Sequence, residues 1–445
     1  MGKKFFGTDG IRGRVNEHPV TCEIAVKVGK ALGNFLKNSS QKALVIGRDT
    51  RVSGGMLEAA LSAGASSAGV DVVQVGIIPT PGVAFLCQTL KLDVGVVISA
   101  SHNEYQDNGI KLFKRGGYKL SDAEELFLEE SILSPSDVSR VDPGKISFIS
   151  NGLEMYARFL ISKFPVRKPR RKLKLVVDCS NGAASKIAPL VFNDPLFDTK
   201  IIFNRPNGYN INDKCGSEHT AALKDKVLEL KADAGFAFDG DADRLIVVDE
   251  TGRQQTGDRT LAICAKYAKE NNRLKNNIVV STIMSSFGFK EALKSLKIKH
   301  IETDVGDRRV IEAMLKHGAV MGGEDSGHMI FLDNHTTGDG MLSAIRLLAV
   351  MRETGKPLSE LSRVMMVYPS RLEPVNVGKL RPDWTEIKPV SDAVQKIENK
   401  MGDNGRVLIR YSGTQKVLRV LVEGLDQDTV DKDCLYLCDI ISNHM

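Results

Sequence analysis

The chain of 445 residues has no apolar run of the roughly 18 residues that would cross a bilayer, and "MGKKFFGTDG" at its start has no apolar signal region. Both absences predict a soluble, cytoplasmic protein with no membrane partner. Its seven cysteines (22, 87, 179, 215, 264, 434 and 438) form no CxxC pair. No histidine pair stands near them at zinc-finger spacing, which argues against a zinc site and for reduced, mostly buried thiols. Strong charge is also lacking: the formal net charge is +6. The basic run "RKPRRK" (167–172) has no interleaved aromatics and reads as a solvated linker rather than a nucleic-acid patch. No nucleic-acid partner is expected.

What is present is ordinary globular composition, 42% apolar and 26% charged, in a chain too long for one core. A strand, a polar Gly/Ser loop, a helix and a strand recur, beginning near Val45, Val176 and Val279. Each helix is expected after a Ser or Gly cap, with apolar residues three and four apart. Such units imply parallel pairing with right-handed crossovers. The expected fold class is α/β: three related mixed α/β domains and a smaller C-terminal α+β domain. The expected boundaries are 1–150, 151–255, 256–368 and 369–445.

Five short stretches stand out. "GVVISASHNEYQDNGIKLF" (95–113) begins as an apolar strand and ends among Ser99, Ser101, His102, Asn103, Asp107 and Asn108 before Lys111. It is either a plain turn or a loop in which Ser101 carries chemistry; His102 by itself fits a hydrogen-bonded structural residue. "FDGDADR" places Asp239, Asp241 and Asp243 at alternate positions between two apolar runs. Three such carboxylates repel unless a cation neutralises them, and few carboxylates with room for phosphate oxygen suit Mg²⁺. An EF-hand is excluded, because Arg244 stands where that loop needs glycine. A phosphorylated Ser101 would supply a further anionic ligand, with Lys111 balancing charge.

"MGGEDSGHM" (321–329) sets Glu324, Ser326 and His328 at every second position, either in a Gly-rich turn or as partners for sugar hydroxyls. "RYSGTQ" (410–415) joins Arg410, Ser412, Gly413 and Thr414, the composition of a phosphate nest or of an ordinary hairpin loop. "FGTDGIRG" (6–13) brings Thr8 and Arg12 among glycines.

Together and in this order, these motifs resemble the α-D-phosphohexomutase superfamily over essentially the whole chain. With "TDVGDRRV" (303–310) and "TTGDG" (336–340), the chain looks most like the bacterial branch acting on glucosamine phosphate. The resemblance implies four domains around a central cleft, with Ser101 as the phosphoserine. Asp239, Asp241 and Asp243, with Ser101, would hold one Mg²⁺. Arg12, His102 and Lys111 would join Ser101 in catalysis. Thr8, Arg244, Asp304, Gly306, Asp307, Glu324, Ser326 and His328 would bind the sugar. Arg410, Ser412, Gly413, Thr414 and Arg419 would grip the non-reacting phosphate.

The implied activity interconverts glucosamine 6-phosphate and glucosamine 1-phosphate through a sugar 1,6-bisphosphate, which also serves as activator, and feeds UDP-N-acetylglucosamine synthesis. The implied partner is a small sugar phosphate, and a homodimer is compatible with it. Three departures from the superfamily pattern stand out: Glu104 stands for proline, Tyr411, Gln415 and Lys416 alter the phosphate loop, and Asp325 stands for glutamine. The competing readings are a phosphomannomutase or phosphoglucomutase on the same scaffold and, more distantly, a metal-dependent serine phosphatase or a non-catalytic sugar-phosphate binder.

Overall fold

Runs such as Val94–Ile98 and Ala234–Phe238 are apolar at consecutive positions and buried throughout, as strands covered on both faces must be. In the computed structural model these runs lie inside three sheets of one shared design. The described residues are 5–7, 9–133, 141–164, 171–193, 195–378, 381–412 and 417–445.

In the first sheet, Asp71–Ile77, Ala43–Arg48 and Val94–Ile98 are parallel neighbours, and Asp107–Lys114 returns antiparallel. In the second, Phe197–Ile202, Leu173–Asp178 and Ala234–Phe238 are parallel, and Leu245–Asp249 returns. In the third, Lys299–Thr303, Ile278–Thr282 and Met321–Gly323 are parallel, and Met329–Phe331 returns. The first sheet is extended by Gly10–Arg14 on one side and Ile146–Phe148 on the other. The loop from the last parallel strand to its antiparallel return therefore falls at an equivalent place in all three sheets. Those loops are 99–106, 239–244 and 324–328.

The expected helix caps are found only in part. Ser286 accepts from Phe289 N at 3.3 Å. Ser53 makes no cap bond; its hydroxyl instead accepts from Asn108 Nδ2 at 2.9 Å. The helix Ala184–Phe192 follows Ala183, which has no capping side chain.

A fourth, antiparallel sheet of Ser370–Asn376, Val417–Glu423 and Arg406–Tyr411 packs against the helices Lys388–Met401 and Gln427–His444. The chain divides into two compact units, Met1–Met284 with Ile298–Val364, and Ser285–Lys297 with Met365–Met445. The first contains the site loops of all three larger sheets. Among the described residues, no helix is long and apolar enough to cross a membrane.

Candidate active site

The strand Val94–Ile98 delivers Ser101 to a buried position, 1% exposed, with a left-handed backbone (φ +54°). That conformation is uncommon for a residue with a Cβ and persists only where surroundings enforce it. Ser101 Oγ donates to Asp239 Oδ2 at 2.6 Å, and His102 Nδ1 lies 3.4 Å from the same hydroxyl oxygen. Burial, then the cationic Arg244, lower the His102 pKa, so its ring is neutral near pH 7.

Asp239, Asp241 and Asp243 present one oxygen each within 4.8 Å of one another, and all three are buried. Their carboxylates are held in place. Asp239 Oδ1 accepts from Arg244 N at 3.1 Å. Asp241 Oδ2 accepts from Lys111 Nζ at 2.8 Å and Thr80 Oγ1 at 2.5 Å. Asp243 Oδ2 accepts from Lys111 Nζ at 3.2 Å. The opposite oxygens, Asp241 Oδ1 and Asp243 Oδ1, are buried without a hydrogen-bond donor among the described residues. Burial, with Asp243 and Asp241 beside it, holds the Asp239 carboxyl well above its ordinary range. Anchored carboxylates that repel one another, with Asp241 Oδ1 buried and without a donor, fit a hard divalent cation.

A charge network surrounds this loop. Lys111, 2% exposed, also pairs with Asp9 Oδ2 at 3.0 Å. Lys119 bridges Asp9 Oδ1 at 2.5 Å and Asp307 Oδ2 at 2.6 Å. His328 lies between Asp243 Oδ1 (3.6 Å from Nδ1) and Asp307 Oδ2 (3.3 Å from Nε2). Burial would lower its pKa, but the two carboxylates push it up to about 10. Burial alone would raise the Asp9 carboxyl; Lys111, Lys119 and Arg12 hold it well below its usual range.

Arg12, Ser101, His102, Lys111, Arg244, Asp307, His328 and the acidic triplet are thus joined by contacts or charge interactions. Glu324 Oε1 accepts from Gly306 N at 3.1 Å, tying the sugar-loop candidate to Gly306. Ser326 and Asp304 are exposed. Both imidazole nitrogens of His328 face carboxylates. Asp325 is engaged at the start of the helix Gly257–Glu270, where its carboxylate and carbonyl accept from Asp258 N and Gly257 N at 3.3 and 2.9 Å.

In the second unit, Arg410 and Arg419 are directly opposed across two antiparallel strands, and Ser412 is buried. Burial, then Arg419, lower the Arg410 pKa. Like charges directly opposed on a sheet cost stability, and an anion between them relieves that cost. Thr8, Gly413 and Thr414 lie outside the described residues.

Asp9, Thr80 and Lys119 join the site although none is a candidate on sequence grounds. Asp9 lies inside "FGTDGIRG", whereas Thr80 and Lys119 carry no local signal. "TTGDG" forms a wall behind the site. Gly340 N donates to Ala242 O at 3.1 Å, and a Cβ on Gly338 would lie 2.0 Å from His328 Nε2.

Four family domains match in sequence. They are Phosphoglucomutase/phosphomannomutase alpha/beta/alpha domains I (residues 3–138), II (154–252) and III (256–368), and the C-terminal domain (374–434). A phosphoglucosamine mutase of Desulforapulum autotrophicum is 51% identical over 99% of both chains. One from Syntrophobacter fumaroxidans is 47% identical over 98% of both. The crystal structure of a phosphoglucomutase/phosphomannomutase family protein from Burkholderia thailandensis superposes with a TM-score of 0.82 at 25% identity, covering 98% of this chain and 97% of that one. Aspergillus fumigatus N-acetylphosphoglucosamine mutase, solved with GlcNAc-6P and magnesium, shares the fold, with a TM-score of 0.70 at 18% identity over 99% and 96% of the two chains.

Proposed function

The chain belongs to the phosphoglucomutase/phosphomannomutase family, whose members are phosphoryl-transferring isomerases, and we propose that it interconverts glucosamine 6-phosphate and glucosamine 1-phosphate. The observation that carries the phosphoserine mechanism is the Ser101 hydroxyl held 2.6 Å from Asp239 beside the buried ammonium of Lys111. The full-length likeness to phosphoglucosamine mutases supports the amino sugar as substrate.

In this reading Ser101 carries a phosphoryl group. The group leaves Ser101 Oγ for O1 or O6 of the sugar monophosphate, giving a 1,6-bisphosphate, and Ser101 regains a proton. The bisphosphate turns round, and its other phosphoryl group returns to Ser101 Oγ. Asp239, Asp241 and Asp243 would hold Mg²⁺, which when bound supplies charge neutralisation for the transferring group.

The environments of two residues support a division of roles. His102 is neutral and adjoins Ser101 Oγ, which suits it to accept the proton of the attacking hydroxyl. Burial would lower the Lys111 pKa, but Asp241, Asp243 and Asp9 keep it well above its ordinary value, which suits fixed charge support. Glu324 is the candidate acceptor for sugar hydroxyls. Arg410, Ser412 and Arg419, with Gly413 and Thr414, would hold the phosphate that is not reacting, and added bisphosphate would restore enzyme that has lost its own phosphate.

Comparing kcat/KM for the 6-phosphates of glucosamine, glucose and mannose tests the assignment. Glucosamine 6-phosphate is expected to lead by roughly ten- to a hundred-fold, the worth of one charge-assisted contact. A lead for mannose 6-phosphate would overturn it.

A further inference from the structure

We propose that Arg51 and Asn212 are positioning residues that fix the backbone of Ser101 and thereby the line along which its Oγ meets the sugar; the inference rests on Ser101 being the phosphoryl carrier. Arg51 is fully buried. Its Nε donates to Asp49 Oδ2 at 2.9 Å. Its Nη1 donates to the carbonyls of Glu104 and Asp107, the latter at 3.0 Å. Its Nη2 donates to the carbonyls of Ser101 at 3.0 Å and Asn103 at 2.7 Å. All the guanidinium donors are therefore used, and four of them end on the backbone of the serine loop.

Asn212 reaches the same two carbonyls from the second sheet's side. Its Nδ2 lies 2.9 Å from Ser101 O and 2.8 Å from Asn103 O. The carbonyls on either side of His102 are thus each gripped by Arg51 and Asn212 together. A third tie comes through Ser99, which accepts from Ser101 N at 3.0 Å and donates to Asp49 Oδ2 at 2.6 Å. Gly240 closes the remaining space, since a Cβ there would lie 2.5 Å from Ser101 O.

This arrangement explains how a non-glycine residue keeps a left-handed backbone at a reactive position. It also explains why a buried arginine is used. Lysine has three donors on one atom and cannot reach four carbonyls spread over residues 101–107. A salt bridge to Asp49 alone would need only one of the donors.

The test compares the full-length wild type with Arg51→Lys and Asn212→Ala. It measures phosphate on Ser101, kcat and KM for glucosamine 6-phosphate with added bisphosphate, and amide hydrogen exchange. Arg51→Lys is expected to lower kcat by about 100-fold, the loss from misplacing a reacting group by about an ångström. KM should stay within about two-fold, because groups that bind the sugar are untouched. Exchange should quicken in peptides covering 99–108 and not elsewhere. Asn212→Ala should show the same pattern with about a ten-fold loss, and it carries the test if Arg51→Lys does not fold.

Normal kcat in a folded variant, or faster exchange spread over the whole first unit, would overturn the inference alone. A wild type that turns over with no phosphate on Ser101 would overturn the phosphoserine reading and this inference with it. Exchange at 99–108, read on unphosphorylated protein, separates the two failures.

Discussion

Ser101 and Asp239, 138 residues apart in sequence, are joined by a buried 2.6 Å hydrogen bond. A serine hydroxyl shared with a carboxylate of the acidic triplet would, once phosphorylated, put its phosphoryl oxygens beside the cation site. Replacing Ser101 by alanine should abolish nearly all turnover while leaving the thermal midpoint close to that of wild type. Peptide mapping of active protein should find phosphate on Ser101. Substantial turnover by the alanine variant would contradict the mechanism.

Thr80 holds the Asp241 Oδ2 that Lys111 also contacts, leaving Oδ1 for a cation. Thr80→Val removes that tether at nearly constant volume. Mg²⁺ affinity should fall by about 10- to 100-fold, the usual effect of losing a partner that orients a ligand. Calorimetric titration of Mg²⁺ into unphosphorylated protein reads this directly. Equal affinities would show that Asp241 needs no such support or binds no metal.

Gly338 leaves the space that the His328 ring occupies, and a methyl group there would meet Nε2 at 2.0 Å. Gly338→Ala should drive the imidazole from between Asp243 and Asp307. We expect a lower melting temperature, from overpacking of about 1–3 kcal/mol, together with reduced kcat. A variant with wild-type melting and rate would mean that the ring moves freely and that its two carboxylate contacts are dispensable.

Burial pushes the Asp178 carboxyl up to about 6, although Gly216 N and Ser180 N both donate to it. A folded-state pKa above the unfolded value means that protonation favours the fold. This contribution is complete below about pH 4, fades as pH rises and is lost above about pH 6, an effect on the order of 2–3 kcal/mol. Melting temperatures of wild type and Asp178→Asn should therefore diverge in their pH dependence between pH 4 and 7, with the flatter profile in the variant. Parallel profiles would refute this account.

Arg410 and Arg419 oppose each other on adjacent strands. If they grip the non-reacting phosphate, Arg410→Ala should raise KM for the monophosphate and release bisphosphate before the second transfer. The variant should then depend more on added bisphosphate, measured as activity against its concentration. Normal KM with no extra requirement would leave "RYSGTQ" as an ordinary hairpin.

The sequence by itself determined the repeated construction, because strand and helix periods, glycine-rich loops and apolar runs are local properties. Val45, Val176 and Val279 each fall in the first parallel strand of one of the three related sheets. Local spacing also marked the Ser101 loop and the acidic triplet, since crowded polar groups at the end of an apolar strand need a partner.

Only the tertiary structure decided which motifs meet. Three hairpin loops at equivalent places bring Ser101, Asp239 and His328 into one network, and no pattern within any one loop encodes that convergence. Asp325 reads in the sequence as one more residue of the sugar-loop motif, yet its backbone carbonyl and carboxylate are used by a helix start. Thr80 and Lys119 carried no signal because their importance lies in what faces them across long sequence separations. Arg51 likewise reads as one cation in a polar loop until folding seats it beneath the serine loop. Burial there obliges each of its donors to find an acceptor, and four of those acceptors are the backbone carbonyls that shape residues 101–107.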